Sequence, residues 1–366
     1  MIERPPVDGW HFYYDETNNF RKLKFDPNKP TGYNIDRALR YDFILGGIAF
    51  DPRNVPDTDL LMERIGIQKK NELKARSILK NRDFLEDIGL ERTQVFLEWI
   101  LDSGAIIHYS ALNNLYWAAI DLVDEAIETE AGEITLPFHR MMKEQVFFFV
   151  MNHLDDMTSI LSRYGFPNLE KDTISPFARA ASDFILENNS DDAPELFYLE
   201  LARQIIKNLR NKEETESLSG REPGVLIDSY ECEYIGAMMD KPNAIHHFDH
   251  ESLIERSLKK YVLQDGKKTY DGYEFIDSKG NRFVQASDVL VGLLSDYFHF
   301  TDTMVMERSG SMPHLSEEQK NGIGMLGDVM ATSDRISPYL QKHICPQSFA
   351  DYRYKFLEIS DHQIID

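Results

Sequence analysis

The sequence predicts an α/β fold in which strands come first, an acidic helical stretch interrupts them, and further strands with a closing helix complete the core. Three patterns carry this expectation. At the start, Trp10, Phe12 and Tyr14 alternate with His11, Tyr13 and Asp15, the period of two that a strand requires. The middle of the chain is acidic and spaced as helices. Near residue 290, Ala286 to Phe298 is apolar at helical spacing and follows a second set of short strand-like segments.

The elements follow in order. Thr17, Asn18 and Asn19 are turn formers, and Tyr41-Asp-Phe-Ile-Leu-Gly-Gly-Ile-Ala-Phe50 then reads as a strand closed by Asp51-Pro52, so a hairpin-like start is expected. From Asp59 to Leu101 the apolar residues recur at helical spacing, as Leu60, Leu61 and Ile65, then Phe84, Leu85 and Ile88, then Val95, Phe96, Trp99 and Ile100. Ala105 to Leu112 is a further strand. Between Leu115 and Glu200 there are 17 Asp or Glu against 5 Lys or Arg, which marks a separate helical insertion; its run Val146-Phe-Phe-Phe-Val150 is expected to be buried packing. A polar connector, Asn211 to Pro223, returns the chain to short strands at Val225 to Asp228 and Ala244 to Phe248. Tyr273 to Ile276 and Arg282 to Val284 flank the turn sequence Asp277-Ser-Lys-Gly-Asn281, which predicts a hairpin before the closing helix. The expected divisions are 1–114 and 225–300 for two halves of one core, 115–224 for the acidic insertion and 301–366 for a helical extension.

With 366 residues, of which 42% are apolar, the chain can bury a sizeable core. Its 40 Lys plus Arg against 62 Asp plus Glu leave a net charge of -22, so any polyanion has to find a local basic patch. The longest apolar runs, Tyr41 to Phe50 and Gln145 to Met151, fall short of the roughly 20 residues a membrane span needs. The start, Met-Ile-Glu-Arg-Pro-Pro-Val-Asp-Gly, lacks the pattern of a secretory signal, and a cytoplasmic protein is expected. Cys232 and Cys345, the only cysteines, have no metal or disulfide spacing and are expected to be buried, reduced thiols.

Four segments carry residues capable of chemistry. Asp15-Glu16 closes a strand at an Asn-bearing turn, where hard oxygen ligands could hold a divalent metal; strand alternation allows only one of the two on a given face. Asn71-Glu-Leu-Lys74 sits in a basic stretch, residues 64 to 82, whose Arg64, Lys69, Lys70, Lys74, Arg76, Lys80 and Arg82 face the single acid Glu72. That stretch is either a solvated helix face or a positive guide for phosphates toward a metal. In Gln285-Ala-Ser-Asp288-Val-Leu-Val-Gly292, the polar Gln285 and Asp288 share a face with Gly292 in an otherwise apolar helix. A buried acid there calls for a cation, unless the helix N-terminus suffices, and Gly292 admits the close approach of a backbone or ligand. Ile245-His-His-Phe-Asp249-His-Glu251 is dense in ligand types, but adjacent His246 and His247 face opposite sides of a strand, which weighs against zinc and leaves Asp249, or its competitor Asp228, as a further carboxylate.

In this order, Tyr14-Asp-Glu-Thr17, Glu72-Leu-Lys74 and Asp277-Ser-Lys followed by Gln285-Ala-Ser-Asp288 with Gly292 resemble the bacterial family called domain of unknown function 3800. Its members open with Asp-Glu-Ser-Gly, contain Glu-x-Lys and close with Gln-x-Ala-Asp before an apolar helix. The likeness covers roughly residues 10 to 115 and 225 to 300. Thr17-Asn18 replaces Ser-Gly and Ser287 replaces Ala; Asn tolerates the left-handed backbone Gly supplies, and Ser is close to Ala in size. The resemblance implies an RNase H-like fold and a nuclease with Mg²⁺ or Mn²⁺ held by Asp15, Glu72, Asp288 and Asp249, of the kind suspected in phage defence. In that scheme Asp15 bridges two metals, Lys74 acts on the scissile phosphate, and Lys69, Lys70, Arg76, Lys279 and Gln285 contact the RNA or DNA substrate. Competing readings are a non-catalytic scaffold that binds nucleic acid or protein through the helical lobe, and a His/Asp phosphohydrolase centred on His246 to His250. The lobe itself could bind a protein partner or form a homodimer.

Overall fold

The computed structural model describes residues 6–68, 70–80, 83–189, 196–215, 220–265, 268–307 and 313–362. A six-stranded mixed sheet forms from β1 (His11–Thr17), β2 (Phe43–Phe50), β3 (Ile106–Leu112), β4 (Ile245–Asp249), β5 (Tyr273–Ile276) and β6 (Gln341–Ile344), in the spatial order β6-β3-β2-β1-β4-β5. The expected hairpin-like start is present: β1 and β2 run antiparallel with His11 opposite Phe50 and Asp15 opposite Gly46. β3 is antiparallel to β2, whereas β4 is parallel to β1, β5 to β4, and β6 to β3. Every residue of β2 is buried, which is what a central strand covered on both faces demands of its sequence.

The period of two sorts β1 between two cores. Phe12 and Tyr14 join Leu45 and Phe43 under the helical lobe, whose Val146, Phe147 and Phe177 share that core with the sheet. Tyr13, Ile44 and Ile48 face the opposite way, against the long helix Arg282–Met306 and the helices Glu91–Ser103 and Glu317–Ile336. The insertion is therefore helical as expected, and it covers one face of the sheet. Within its aromatic run, Phe147 and Phe149 are buried packing, and Phe148 packs partly buried against the same core. None of the described helices is long and apolar enough to cross a membrane.

Three expectations are corrected. Arg282 to Val284 is not a strand, because Asn281 caps a helix there, its side chain accepting from the N–H groups of Phe283 at 2.9 Å and Val284 at 3.2 Å. The helical pattern expected of residues 59 to 101 takes the form of four helices among the described residues, with Gly66 ending the first at φ 76°. The segment after residue 300 is not wholly helical, since Gln341–Ile344 adds a parallel edge strand to β3. Cys345 is buried but Cys232 is exposed. The C-terminal helix Gln347–His362 is tied to the core by Arg353, which is fully buried, binds Asp42 Oδ2 and Asp302 Oδ2 at 2.6 Å each, and lies 4.0 Å over the Phe298 ring.

Candidate functional site

β1 and β4 are parallel neighbours with Tyr14 opposite Phe248, so their next residues, Asp15 and Asp249, stand side by side. The long helix crosses beneath them. It can do so because Gly47 on β2 has no side chain: a Cβ there would lie 2.2 Å from Ser287 Oγ. Ser287 Oγ accepts from Ile48 N–H at 3.2 Å and lies 3.1 Å from the Tyr13 carbonyl, so Ser in place of Ala, which size alone made neutral, ties the helix to both central strands. The next residue along the helix is Asp288, which lines the cleft.

Asp15, Asp249 and Asp288 weigh on one another. Burial and the charges of Glu16, Asp288 and Asp249 push the Asp15 carboxyl well above the usual carboxylate range. Burial also raises Asp288, with Asp249 adding to the effect, while the Ala75 N–H, Lys74 and Arg76 oppose it. Each of the three carboxylates is held by backbone through one oxygen: Asp15 Oδ1 by Glu16 N–H at 2.7 Å, Asp249 Oδ1 by His250 N–H at 2.8 Å and Ser278 N–H at 3.1 Å, and Asp288 Oδ2 by Ala75 N–H at 2.8 Å. Among the described residues the second oxygen of each has no hydrogen-bond partner. Three oriented, mutually repelling carboxylates with a free oxygen apiece suit a hard divalent cation; as placed, no three His, Cys, Asp or Glu of the described residues already form a group able to hold a metal ion.

The remaining expected residues fall differently. Glu72 pairs with Lys74 Nζ at 3.2 Å, both about a third exposed, and so belongs to Lys74 and not to the acid trio. Lys74 and Arg76 line the cleft beside Asp288, together with Lys80. Gln285 is not available to a substrate: it is buried, its Oε1 accepts from Leu73 N–H at 2.9 Å and Arg282 at 2.6 Å, and its Nε2 donates to the Ser278 carbonyl at 2.6 Å. It brackets the Glu72–Lys74 segment to the turn before the helix. Lys70 and Lys279 are exposed and do not line the cleft, and Lys69 and Arg82 lie outside the described residues. Arg64 of the basic stretch pairs with Glu98.

Asp249 and not Asp228 is the further acid, since Asp228 is exposed and pairs with Lys22 at 3.1 Å. His246 and His247 do face opposite sides: His246 Nδ1 is 2.9 Å from the Tyr14 hydroxyl, whereas His247 meets His11 at 2.8 Å and Glu274 at 2.7 Å. The two histidines therefore do not share one site. Gly292 admits neighbouring side chains and not a backbone, because a Cβ there would lie 3.2 Å from Leu79 Cδ1 and 3.3 Å from Ala75 Cβ. Asn18 has the left-handed φ of 55° that the sequence allowed, and its Nδ2 donates to Ser295 Oγ and to the Asp42 carbonyl, both at 2.9 Å.

Sequence reasoning missed Arg37, Ser295 and Asp296, which line the same cleft of about 700 Å³. Ser295 and Asp296 were within reach of it, being seven and eight residues beyond Asp288 on one helix face. Arg37, in a short turn between strands, carried no signal. Glu16 turns to the other side of β1, toward Asn19, Tyr234 and Glu251, where burial is the main cause that pushes its carboxyl up to about 7. No protein-family model, curated protein or solved structure matches this chain.

Proposed function

We propose that the protein is a metal-dependent nuclease with an RNase H-like core. The observation that carries the reading is the convergence of Asp15, Asp249 and Asp288, 273 residues apart at the extremes, onto the ends of two adjacent strands and the helix beneath them. Supporting it, β3-β2-β1-β4-β5 runs as three antiparallel neighbours followed by two parallel ones, the arrangement expected of such a core. β6 and the helical lobe are additions to it.

Asp15, Asp249 and Asp288 would hold Mg²⁺ or Mn²⁺, and such ions supply an activated hydroxide and a stabilised leaving oxygen to a phosphodiester. The chain's own contribution is positioning. Backbone N–H groups fix one oxygen of each acid and leave the other free for a cation. Lys74, kept beside Asp288 by the Gln285 bracket, places a positive charge where a scissile phosphate would gain it. Glu72 orients Lys74.

The test compares the parent with Asp15→Asn and Asp288→Asn on single- and double-stranded RNA and DNA in Mg²⁺, Mn²⁺ or chelator. Cleavage that needs the metal and is lost in both variants is expected. Equal cleavage by all three proteins discards the assignment, and no cleavage by the parent on any of these substrates leaves the scaffold reading in its place.

A further inference from the structure

The cleft has a floor and two walls. Asp288, Gly292, Ser295 and Asp296, on one face of the long helix, make the floor. Lys74, Arg76 and Lys80 line one wall, and Asn18, Phe20 and Arg37 the other. Both walls are pinned to the floor, one by the Ala75 N–H on Asp288 and one by the Asn18 amide on Ser295. Lys74, Arg76 and Lys80 on one segment and Arg37 on the other thus put four cations along one trough.

Aromatic rings stand beyond Asp296, at the end away from Asp288. The Tyr41 and His299 rings stack with centroids 4.1 Å apart and planes 23° from parallel, and Arg37 lies 4.4 Å over Tyr41. Both rings are partly exposed. His299 is eleven residues beyond Asp288, about 16 Å along the helix at ~1.5 Å per residue. Burial, with the charges of Arg40 and Arg37, holds His299 below its ordinary range, which keeps the ring neutral and suited to stacking near neutral pH. Past the stack the helix borders a second hollow of about 360 Å³, lined by Leu39, Phe147, Met151, His299 and Met306 among others, apolar enough for a base.

We infer that the trough takes a single nucleic-acid strand, its phosphates between Arg37 and the Lys74–Lys80 wall and a base delivered to the Tyr41–His299 stack. A cationic groove leading to aromatic faces is how unpaired strands are held, because only unpaired bases present a free face. The inference rests on the nuclease reading for its direction, with Asp288 at one end and the stack at the other, and it specifies the substrate's form.

The experiment is fluorescence anisotropy with fluorescein-labelled dT12, rU12 and a 12-base-pair duplex of dA12 with dT12, in chelator so that nothing is cut. Single strands are expected to bind at least about tenfold more tightly than the duplex, with a strong salt dependence. Arg37→Glu should weaken that binding and lower the salt slope by about one. His299→Ala should weaken it roughly 5- to 100-fold and His299→Phe should restore it, as stacking requires. Equal or tighter binding of the duplex, or single-strand binding untouched by Arg37→Glu and His299→Ala, overturns the inference. The nuclease reading fails separately: single-strand binding by a parent that cleaves nothing removes only that reading, and metal-dependent cleavage with duplex preference removes only this inference.

Discussion

Replacing Gln285 by Leu keeps the volume of the side chain and deletes the bracket that holds the Glu72–Lys74 segment against the turn before the long helix. Two buried backbone groups lose their partners: the Leu73 N–H, which donates at 2.9 Å, and the Ser278 carbonyl, which accepts at 2.6 Å. An orphaned buried group costs about 1–3 kcal/mol, so the pair amounts to roughly 2–4 kcal/mol once some solvent entry is allowed. The loss is local, because Asp288 and Ser287 still anchor the helix. Hydrogen exchange read by mass spectrometry should therefore quicken by about 30- to 1,000-fold in peptides covering 70–80 and 277–281, at ~1.4 kcal/mol per tenfold. β2 should keep its protection. Cleavage should fall as Lys74 loses its place, with metal binding retained. Unchanged exchange in both segments would show that Gln285 does not hold them and would refute the positioning argument for Lys74.

Other outcomes follow from the same geometry. In chelator, Asp15→Asn should raise the melting temperature, since it removes a carboxylate that burial and three neighbouring acids disfavour; Mn²⁺ should stabilise the parent, by about 2.7 kcal/mol at a hundredfold its Kd, and leave the variant unmoved. A metal shift of equal size in both argues against Asp15 as a ligand. Glu16 is raised to about 7 from an ordinary 4.5, so its favourable contribution is complete below pH 4.5 and is lost as pH climbs through 7. Glu16→Gln should accordingly flatten the fall in urea stability between pH 5 and 8, by about 3 kcal/mol at most at ~1.36 kcal/mol per pH unit; parallel curves for parent and variant dispose of this account. Arg353→Met should cost about 3–5 kcal/mol at pH 8, because it strands Asp42 and Asp302 in the core, and less at pH 5, where Asp302, whose carboxyl burial pushes up, takes up a proton. A penalty under about 1 kcal/mol at pH 8 would mean that the core does not depend on the pair.

Local pattern made much of the architecture legible. The alternation from Trp10 to Asp15, the apolar Phe43–Phe50 stretch and the spacing from Ala286 to Phe298 each encode an element within a few residues, because side-chain period is a property of one strand or helix. The same periods put Asp15 and Glu16 on opposite faces of β1 and split His246 from His247, whereas the choice of Asp15 came from the family resemblance. At Asn281 the local signal misled: a turn sequence followed by Arg282-Phe-Val284 looks like a hairpin until the Asn281 side chain is seen capping a helix.

Tertiary structure alone decided what depends on partners far along the chain. Asp249 prevails over Asp228 because β4 pairs with β1 and Lys22 claims Asp228. Gln285 became a bracket because the Leu73 N–H donates to it, and Glu72 is paired with Lys74. Gln341–Ile344 is a strand only since β3 offers an edge, and Arg353 is at home in the core only since Asp42, 311 residues earlier, meets it there. Periodicity acts between neighbours on one element, whereas the pairing of charges and polar groups is settled by which elements converge, and that convergence belongs to the packed chain as a whole.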